Sequence, residues 1–242
     1  MQRVKALRIG RIGKAVARYL RNYGRHRAEM GSAMLVGFVT NLARPGGNIT
    51  GISLGEDMPK IQGKRLQLLA EAVDKLTNVR NLTTYSLDAK AKVYMEAVAE
   101  KLKITTYRVQ QLQSPVDETE YRRAFEAMRR DHVDGVLIGP DSENHAYRVL
   151  LGWLAREYRL PAICWYIDSV EAGALMAYAH NNEAGPRRLG AQIVEILNGG
   201  NPAEMPIFQE THWELVINLK AAKELGLEIP PGLVAQADRV ID

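Results

Sequence analysis

Apolar residues recur every three or four positions in several long segments, and short, nearly continuous apolar runs separate these segments. The first pattern predicts amphipathic helices and the second predicts strands. The helices are expected over 59–73, 89–102, 117–130 and 144–158, and the strands over 79–85, 104–109, 134–139 and 160–165. Three successive strand–helix–strand units at this spacing favour right-handed crossovers. The pattern therefore predicts an α/β fold with a doubly wound parallel sheet.

The regular alternation ends at Trp165. Residues 166–173 (YIDSVEAG) are expected to form a loop or a single turn. The remaining elements are a strand over 174–179, a helix over 183–197, an extended segment over 213–217 and a short helix over 219–225. Asn218 is a suitable cap for the last helix. Pro230 and Pro231 are expected to interrupt the chain after it.

A punctuated stretch, TNLARPGGNITGIS, occupies residues 40–53. Leu42 and Ala43 end an apolar run that is expected to be helical, and Pro45 with the following two glycines stops it. Residues 49–53 suit a short strand. The glycine pair suits an ordinary turn, and anion binding on its amides is the alternative. No GxGxxG or GxxxxGK[ST] motif supports that alternative.

The composition is that of a soluble globular protein, with 46% apolar and 25% charged residues in a chain of 242. This length suits one large or two small domains. Cys164 is the single cysteine, which excludes an internal disulfide and a cysteine-based zinc site. It lies in an apolar run, so a buried thiol is expected.

Positive charge is concentrated near the start of the chain. Residues 1–30 carry a local charge of +8, which leaves about −4 on residues 31–242. A basic helix here would suit contact with nucleic acid or an anionic surface, whereas the simpler interpretation is a poorly packed arm. No secretory signal or membrane-spanning run is recognised, so the chain as written is expected to be cytoplasmic.

Polar and aromatic side chains follow the predicted strands at the edge where α/β proteins bind ligands. Ser, Asp and Asn also cap helices, so capping is the competing role for each of them. Trp165 and Tyr166 differ from these polar residues, because their rings suit stacking on an aromatic or apolar group. The residues at this edge are Ser86, Asp88, Asp141, Ser142, Asn144, Trp165, Tyr166 and Asp168.

No catalytic set is recognised in the sequence. The histidines are scattered, without an HExxH motif, and surface or capping roles are expected for them. No GxSxG motif is present. Phe125, Trp153 and Tyr158 have helical spacing and are expected in the core. An enzyme is therefore not expected, and neither is a metal or an organic cofactor.

Several phrases resemble a known family. These are NLARPGGNITGIS, RLPAICW, EAGALMAYA and, most specifically, ELVINLKAAKELGLEIPPGLVAQADRVID. They are similar to ABC-transporter substrate-binding proteins of the tryptophan/tyrosine-type uptake family, and the similarity covers roughly residues 35–242. It implies the type I periplasmic-binding-protein fold, in which two Rossmann-like lobes with parallel sheets are joined by three crossings, here placed at 49–53, 176–179 and 215–218.

The resemblance implies a lobe of residues 53–177 and 213–242, and a first lobe reduced to residues 1–52 and 178–212. It also implies a solute-binding protein that delivers a small molecule from the inter-lobe cleft to ABC permease subunits, without catalysis. The family suggests that this solute is an amino acid, and an aromatic one. The family is periplasmic or otherwise extracytoplasmic. The ligand-binding residues expected on this basis are Ser86, Asp88, Asp141, Ser142, Trp165, Tyr166 and Glu171.

Two departures from the family qualify this expectation. A short basic segment stands where the family has most of its first lobe, which would expose sheet edges, weaken solute binding and favour self-association. Ser86-Leu87-Asp88 also replaces the Asn-Pro loop usual in the family. A ligand-sensing domain of a transcriptional regulator is the alternative function, with residues 1–30 contacting DNA, although no helix-turn-helix is recognised.

Overall fold

The computed structural model describes residues 39, 41–53, 58–87, 89–113, 115–180, 184–209 and 212–242. The chain divides into two compact units. The first unit comprises residues 1–56 and 182–211, and the second comprises residues 57–181 and 212–242. The chain therefore passes from one unit to the other three times.

The described secondary structure consists of short strands that alternate with helices over most of the chain. The strands are β1 (Ile52–Ser53), β2 (Asn78–Thr83), β3 (Thr106–Gln111), β4 (Gly135–Ile138), β5 (Ala162–Cys164), β6 (Met176–His180), β7 (Phe208–Gln209), β8 (Trp213–Asn218) and β9 (Arg239–Ile241). The helices are α1 (Met58–Ala72), α2 (Ala89–Lys101), α3 (Glu118–Arg130), α4 (Ser142–Ala146), α5 (Arg148–Glu157), α6 (Ile167–Glu171), α7 (Ala184–Leu197), α8 (Leu219–Leu225) and α9 (Pro231–Val234).

The second unit is built on a seven-stranded sheet with the order β3-β2-β4-β5-β6-β8-β9. The first five of these strands are parallel. β8 runs antiparallel to β6, with Met176 opposite Ile217 and His180 opposite Trp213, and β9 is parallel to β8. The predicted α/β fold is confirmed, and the sheet, predicted to be parallel, is mostly parallel with β8 antiparallel to β6.

Hydrophobic clusters cover both faces of this sheet. Leu137 of β4 and Ile163 of β5 pack into one cluster, together with residues of α1 and α2. Their neighbours Ile138 and Cys164 pack into the other, together with α3 and α5. Side chains that alternate along the strands into two cores are what a doubly wound sheet requires. Burial of Cys164 confirms the expectation from its apolar surroundings.

The predicted inward face of α3 is confirmed, since Tyr121, Phe125 and Met128 are fully buried. The predicted face of α2 is wrong in part. Val93 is 65% exposed, and Met95 provides the main buried contact instead. Apolar residues lie on every side of α2, so periodicity alone does not select the stripe that faces the core.

Other boundaries differ from the sequence expectation. The helix expected over 144–158 is two helices, α4 and α5, separated at Tyr147. β3 begins at Thr106, two residues later than expected, and Ile104 is buried in the connection before it. Trp153 was expected in the core but is 45% exposed, with the guanidinium of Arg122 5.0 Å from its ring centroid. The charged guanidinium covers one face of the ring and leaves the rest in solvent.

Within the described residues of the first unit, β1 pairs in parallel with β7. The expected helix end at Leu42 and Ala43 is wrong, because the side-chain oxygen of Asn41 accepts hydrogen bonds from the amides of Ala43 and Arg44 at 2.8 and 3.3 Å, which forms a turn. Gly46 has a φ of 72°, and its amide donates to Ala203. The proposed basic arm, residues 1–30, lies outside the described residues.

Candidate functional site

The candidate site is the edge of the second unit's sheet at the carboxyl ends of β2, β4, β5 and β6, here called the carboxyl edge. Because β8 is antiparallel to β6, its first residue, Trp213, lies at the same edge as His180, the last residue of β6. Parallel strands deliver their loops to this edge, which is where α/β folds bind ligands.

Asp141 is buried at this edge and connects the loops after β2 and β4. One carboxylate oxygen accepts hydrogen bonds from the Thr83 hydroxyl (2.9 Å), the Thr84 amide (2.8 Å) and the Thr84 hydroxyl (3.0 Å). Burial raises the pKa of Asp141 and outweighs the opposing effect of these hydrogen bonds. Asp141 precedes α4 but makes no capping hydrogen bond from its side chain.

Asn144 completes this buried group. Its side-chain amide donates to the second carboxylate oxygen of Asp141 at 2.6 Å and to the carbonyl of Gly139 at 3.2 Å. The Tyr121 hydroxyl donates to its oxygen at 2.8 Å. The sequence predicts Asp141 and Asn144 at the same edge, and in the structure both side chains hydrogen-bond to other residues of the second unit.

Four aromatic side chains form a cluster at the other half of the carboxyl edge. Trp165 and Trp213 meet edge to face, with ring centroids 5.2 Å apart. Tyr178 stacks on Trp213 at 5.7 Å, and His180 lies 5.7 Å from the same ring. Trp165 is only 1% exposed, whereas Trp213 is half-buried, so Trp213 is the indole that solvent reaches.

The sequence indicated only part of this aromatic cluster. Trp165 was identified from its position after β5. The surface or capping role expected for His180 is wrong, because this side chain is half-buried and its ring packs against those of Trp165 and Trp213. The missing information was the antiparallel pairing of β6 and β8, which brings residues 180 and 213 together and has no local sequence signal.

Tyr166 follows Trp165 in the chain, and its side chain contacts the loop and helix after β4. Its hydroxyl donates to the carbonyl of Pro140 at 3.1 Å, and its ring centroid is 4.6 Å from that of His145. Burial, followed by the nearby carboxylate of Asp141, raises the pKa of Tyr166 to about 12. Tyr166 is therefore neutral across the physiological pH range.

Arg65 is the charged residue that sequence reasoning missed. It lies on the buried side of α1, and its guanidinium donates to the carbonyls of Ile138 (2.8 Å) and Ile163 (2.7 Å) at the ends of β4 and β5. Its central carbon is 5.2 Å from the ring centroid of Trp165. Burial lowers the pKa of Arg65 to about 10. A signal was present, because Arg65 is four residues before Leu69 on the apolar stripe of a predicted helix.

The other predicted site residues make separate contacts. Ser86 is exposed and donates to the Gln111 side chain at 2.9 Å. Ser142 is exposed and donates to its neighbour Glu143 at 3.0 Å. Glu171, the last residue of α6, is ion-paired with Arg239 of β9.

Two further predicted residues complete the set. Asp88 lies outside the described residues. Asp168 accepts a hydrogen bond from Arg148 at 2.6 Å. Over the described ranges, no three His, Cys, Asp or Glu side chains converge as a metal site requires. In that same part of the chain, no helix combines the length and hydrophobicity needed to cross a bilayer.

Comparison with known proteins identifies relatives over most of the chain. The family model described as ABC transporter substrate binding protein matches residues 29–241. A tyrosine-binding protein of Clostridioides difficile (strain R20291) is 23% identical over 192 residues, which are 79% of this chain and 54% of that protein. The chain therefore spans about half the length of this curated relative.

Solved structures show the same fold. The ABC domain in complex with L-Trp from Streptococcus pneumonia has a TM-score of 0.71 and 25% identity, over 88% of this chain and 72% of that one. A ligand-free, open substrate binding protein with adhesive properties from Clostridium difficile has a TM-score of 0.54 and 22% identity, over 87% of this chain and 68% of that one.

The matched family is one of substrate-binding proteins, and one of the similar structures is a complex with L-Trp. The family is extracytoplasmic, and the expectation of a cytoplasmic chain finds no support in these matches. The family model covers far more than half of the sequence and agrees with the resemblance found in the sequence phrases. The chain belongs to the family of ABC transporter substrate-binding proteins.

Proposed function

We propose that this chain is the solute-binding component of an ABC importer, and that it binds an amino acid with an aromatic side chain at the carboxyl edge. The observation that carries the proposal is the aromatic cluster of Trp165, Tyr178, His180 and Trp213 at that edge. A half-buried indole packed against the buried ring of Trp165 offers a rigid apolar surface on which an aromatic ring can stack.

Two relatives support the choice of ligand. One is a tyrosine-binding protein, and the other is an ABC domain in complex with L-Trp. Tyr166, next to Trp165 in the chain, adds a neutral hydroxyl at this edge, and exposed Ser86 and Ser142 add further polar groups. Polar groups at the rim of an apolar surface fix ligand orientation. Asp141 is fully engaged with Thr83, Thr84 and Asn144, so it supports the loops instead of contacting the solute.

We further propose that the two compact units correspond to the two lobes implied by the family resemblance, residues 1–52 with 178–212 and residues 53–177 with 213–242. The partner in transport is then an ABC permease. Self-association is also proposed, because α7 exposes Leu189, Ile193 and Leu197 and the described part of the first unit has a sheet of only two strands. Exposed apolar surfaces and sheet edges promote association.

Isothermal titration calorimetry with L-tryptophan, L-tyrosine and L-alanine tests the ligand class. We expect the two aromatic amino acids to bind and L-alanine to bind at least tenfold more weakly, because the smaller side chain buries less apolar area. Trp213→Leu is expected to weaken L-tryptophan binding about tenfold, a loss of about 1.4 kcal/mol.

Trp153→Leu is the matched control, because Trp153 is also partly exposed but lies on α5, outside the aromatic cluster. It is expected to leave the affinity unchanged. Equal effects of the two substitutions, or equal affinity for L-alanine and L-tryptophan, would contradict the proposed role of the cluster.

A further inference from the structure

Arg65 is a charged side chain enclosed completely within the second unit, with 0% of its surface exposed. Its guanidinium donates to the Gln62 side chain at 2.7 Å and to the carbonyls of Ile138 and Ile163. The face of Trp165 covers it. All these partners are neutral dipoles or a π system, so they accommodate the positive charge without cancelling it.

Within the described residues, no carboxylate forms an ion pair or a hydrogen bond with Arg65. Its Nε is also buried without a hydrogen-bond partner. Burying a cation without a counter-charge is unfavourable, and natural proteins rarely retain such a group unless it is paired. The charge of Arg65 is therefore retained at a cost to stability, and it lies directly under the carboxyl edge.

The position of this charge is defined by its contacts. Ile138 is the last residue of β4, and Ile163 is next to the last residue of β5. Trp165, the ring over the guanidinium, is also the ring that contacts Trp213. The guanidinium thus lies one aromatic layer beneath the proposed solute-binding surface, in surroundings of low dielectric constant where charges act over longer distances.

We propose that Arg65 is the specificity-determining residue of the carboxyl edge, and that its unpaired charge selects solutes that carry a carboxylate. Arg65 acts at a distance and also positions Trp165. This inference rests on the proposed solute-binding function and adds which residue sets the preference for the carboxylate. A purely structural Arg65 would stabilise β4 and β5 but would not affect the relative affinities for anionic and cationic ligands.

Three ligands that share the indole ring separate these roles in the unmodified protein. L-tryptophan carries a carboxylate and an amine, indole-3-propionate carries only the carboxylate, and tryptamine carries only the amine. Calorimetric titration is expected to show that indole-3-propionate binds at least tenfold more tightly than tryptamine. If the ligand carboxylate lies about 8–12 Å from the Arg65 guanidinium and the effective dielectric constant is about 20, their attraction raises the affinity roughly ten- to thirtyfold. The reverse preference would overturn the proposal without any substitution.

Substitutions then assign the selectivity to Arg65. Arg65→Gln is expected to lower the affinity for indole-3-propionate by about ten- to thirtyfold and to leave or improve that for tryptamine. Arg65→Lys keeps the charge but loses the forked donor geometry, so it is expected to retain most of the selectivity. Loss of affinity for both ligands by the same factor in Arg65→Gln would overturn the proposal.

Arg80→Gln is the matched control. Arg80 is 6% exposed and donates to Asp131 at 3.4 Å and to Asn78, at the other end of β2. It is expected to lower the melting temperature without altering the ratio of the two affinities. An equal change of that ratio in Arg80→Gln and Arg65→Gln would contradict the assignment to Arg65. If the unmodified protein binds none of the three ligands, the proposed function fails and this inference fails with it.

Discussion

The charged side chains at the two ends of the second unit's sheet differ in their burial and in their partners. At the amino end, the Asp134 carboxylate accepts hydrogen bonds from the Thr77 amide and hydroxyl and from the Asn78 amide at 2.7–2.9 Å. Arg80 has Asp131 as its counter-charge. At the carboxyl edge, Asp141 is buried among neutral donors, and Arg65 has no carboxylate partner within the described residues.

The pKa values of the two aspartates express this difference. Partial burial opposes ionisation of Asp134, but the hydrogen bonds from Thr77 and Asn78 outweigh it and lower the pKa. Burial dominates at Asp141 and raises the pKa. The amino end is therefore arranged for stability, whereas the carboxyl edge keeps unfavourable charges, which is typical of functional sites.

The largest expected difference between the ends concerns removal of each carboxylate. Asp141→Ala leaves the buried Thr84 amide and one N–H of Asn144 without an acceptor, and the Thr83 and Thr84 hydroxyls keep only their bonds to Tyr85 and Glu143. We therefore expect a loss of about 3–5 kcal/mol in the free energy of unfolding. Asp134→Ala is expected to lose about 1–2 kcal/mol, because water can reach its donors. Urea unfolding of both variants measures the difference, and equal losses would contradict the contrast between the two ends.

A smaller difference is expected for single hydroxyl groups. Thr83→Val removes a buried hydrogen bond to Asp141 of 2.9 Å, whereas Thr77→Val removes an exposed one to Asp134 of 2.7 Å. We expect a loss of about 1–2 kcal/mol for the first substitution and about 0.5 kcal/mol for the second. Both replace a hydroxyl with a methyl group of similar size, so urea unfolding compares hydrogen bonds at constant volume. A larger loss of stability in Thr77→Val than in Thr83→Val would contradict the expected difference between the two ends.

The smallest expected effect is an opposite dependence of stability on pH. Asp134 has a lowered pKa in the folded state, so its stabilisation is present above its unfolded value near 3.8 and is lost as the pH falls through the folded value. Asp141 has a raised pKa, so its contribution becomes less favourable as the pH rises from about 3.8 through the folded value.

Free energies of unfolding between about pH 2.5 and 6 measure these slopes. Asp134→Asn is expected to flatten the acid side of the curve. Asp141→Asn is expected to remove the decrease in stability that occurs as the pH rises above about 3.8. The same change of slope in both variants would show that the two carboxyl groups do not differ as described.

Local patterns predicted most of the second unit. Spacing and residue type predicted the inward face of α3 and the buried strands β4 and β5. They also predicted the cap at Asn218, whose side chain accepts a hydrogen bond from the Ala221 amide. β9 was not predicted, since its three residues, Arg239–Ile241, form a strand only by pairing with β8. Short segments of this kind depend on tertiary contacts more than on propensity.

A residue of the candidate site was predictable only where it directly follows a predicted strand. Asp141, Trp165 and Tyr166 were placed at the correct edge from their positions after β4 and β5. Trp213 was not, because it joins the edge through the antiparallel register of β8 with β6. Arg65 is separated by about a hundred residues from Trp165, and contacts at such distances are set by packing and not by periodicity.

The burial of Cys164 has a practical consequence. The fold encloses the thiol completely and raises its pKa to about 12, so the reactive thiolate is scarce at neutral pH. A cysteine introduced at an exposed position such as Ser86 would then be the sole group available to a maleimide dye. The native chain thus provides a background on which one fluorophore at the rim of the carboxyl edge would test the proposed solute binding in real time.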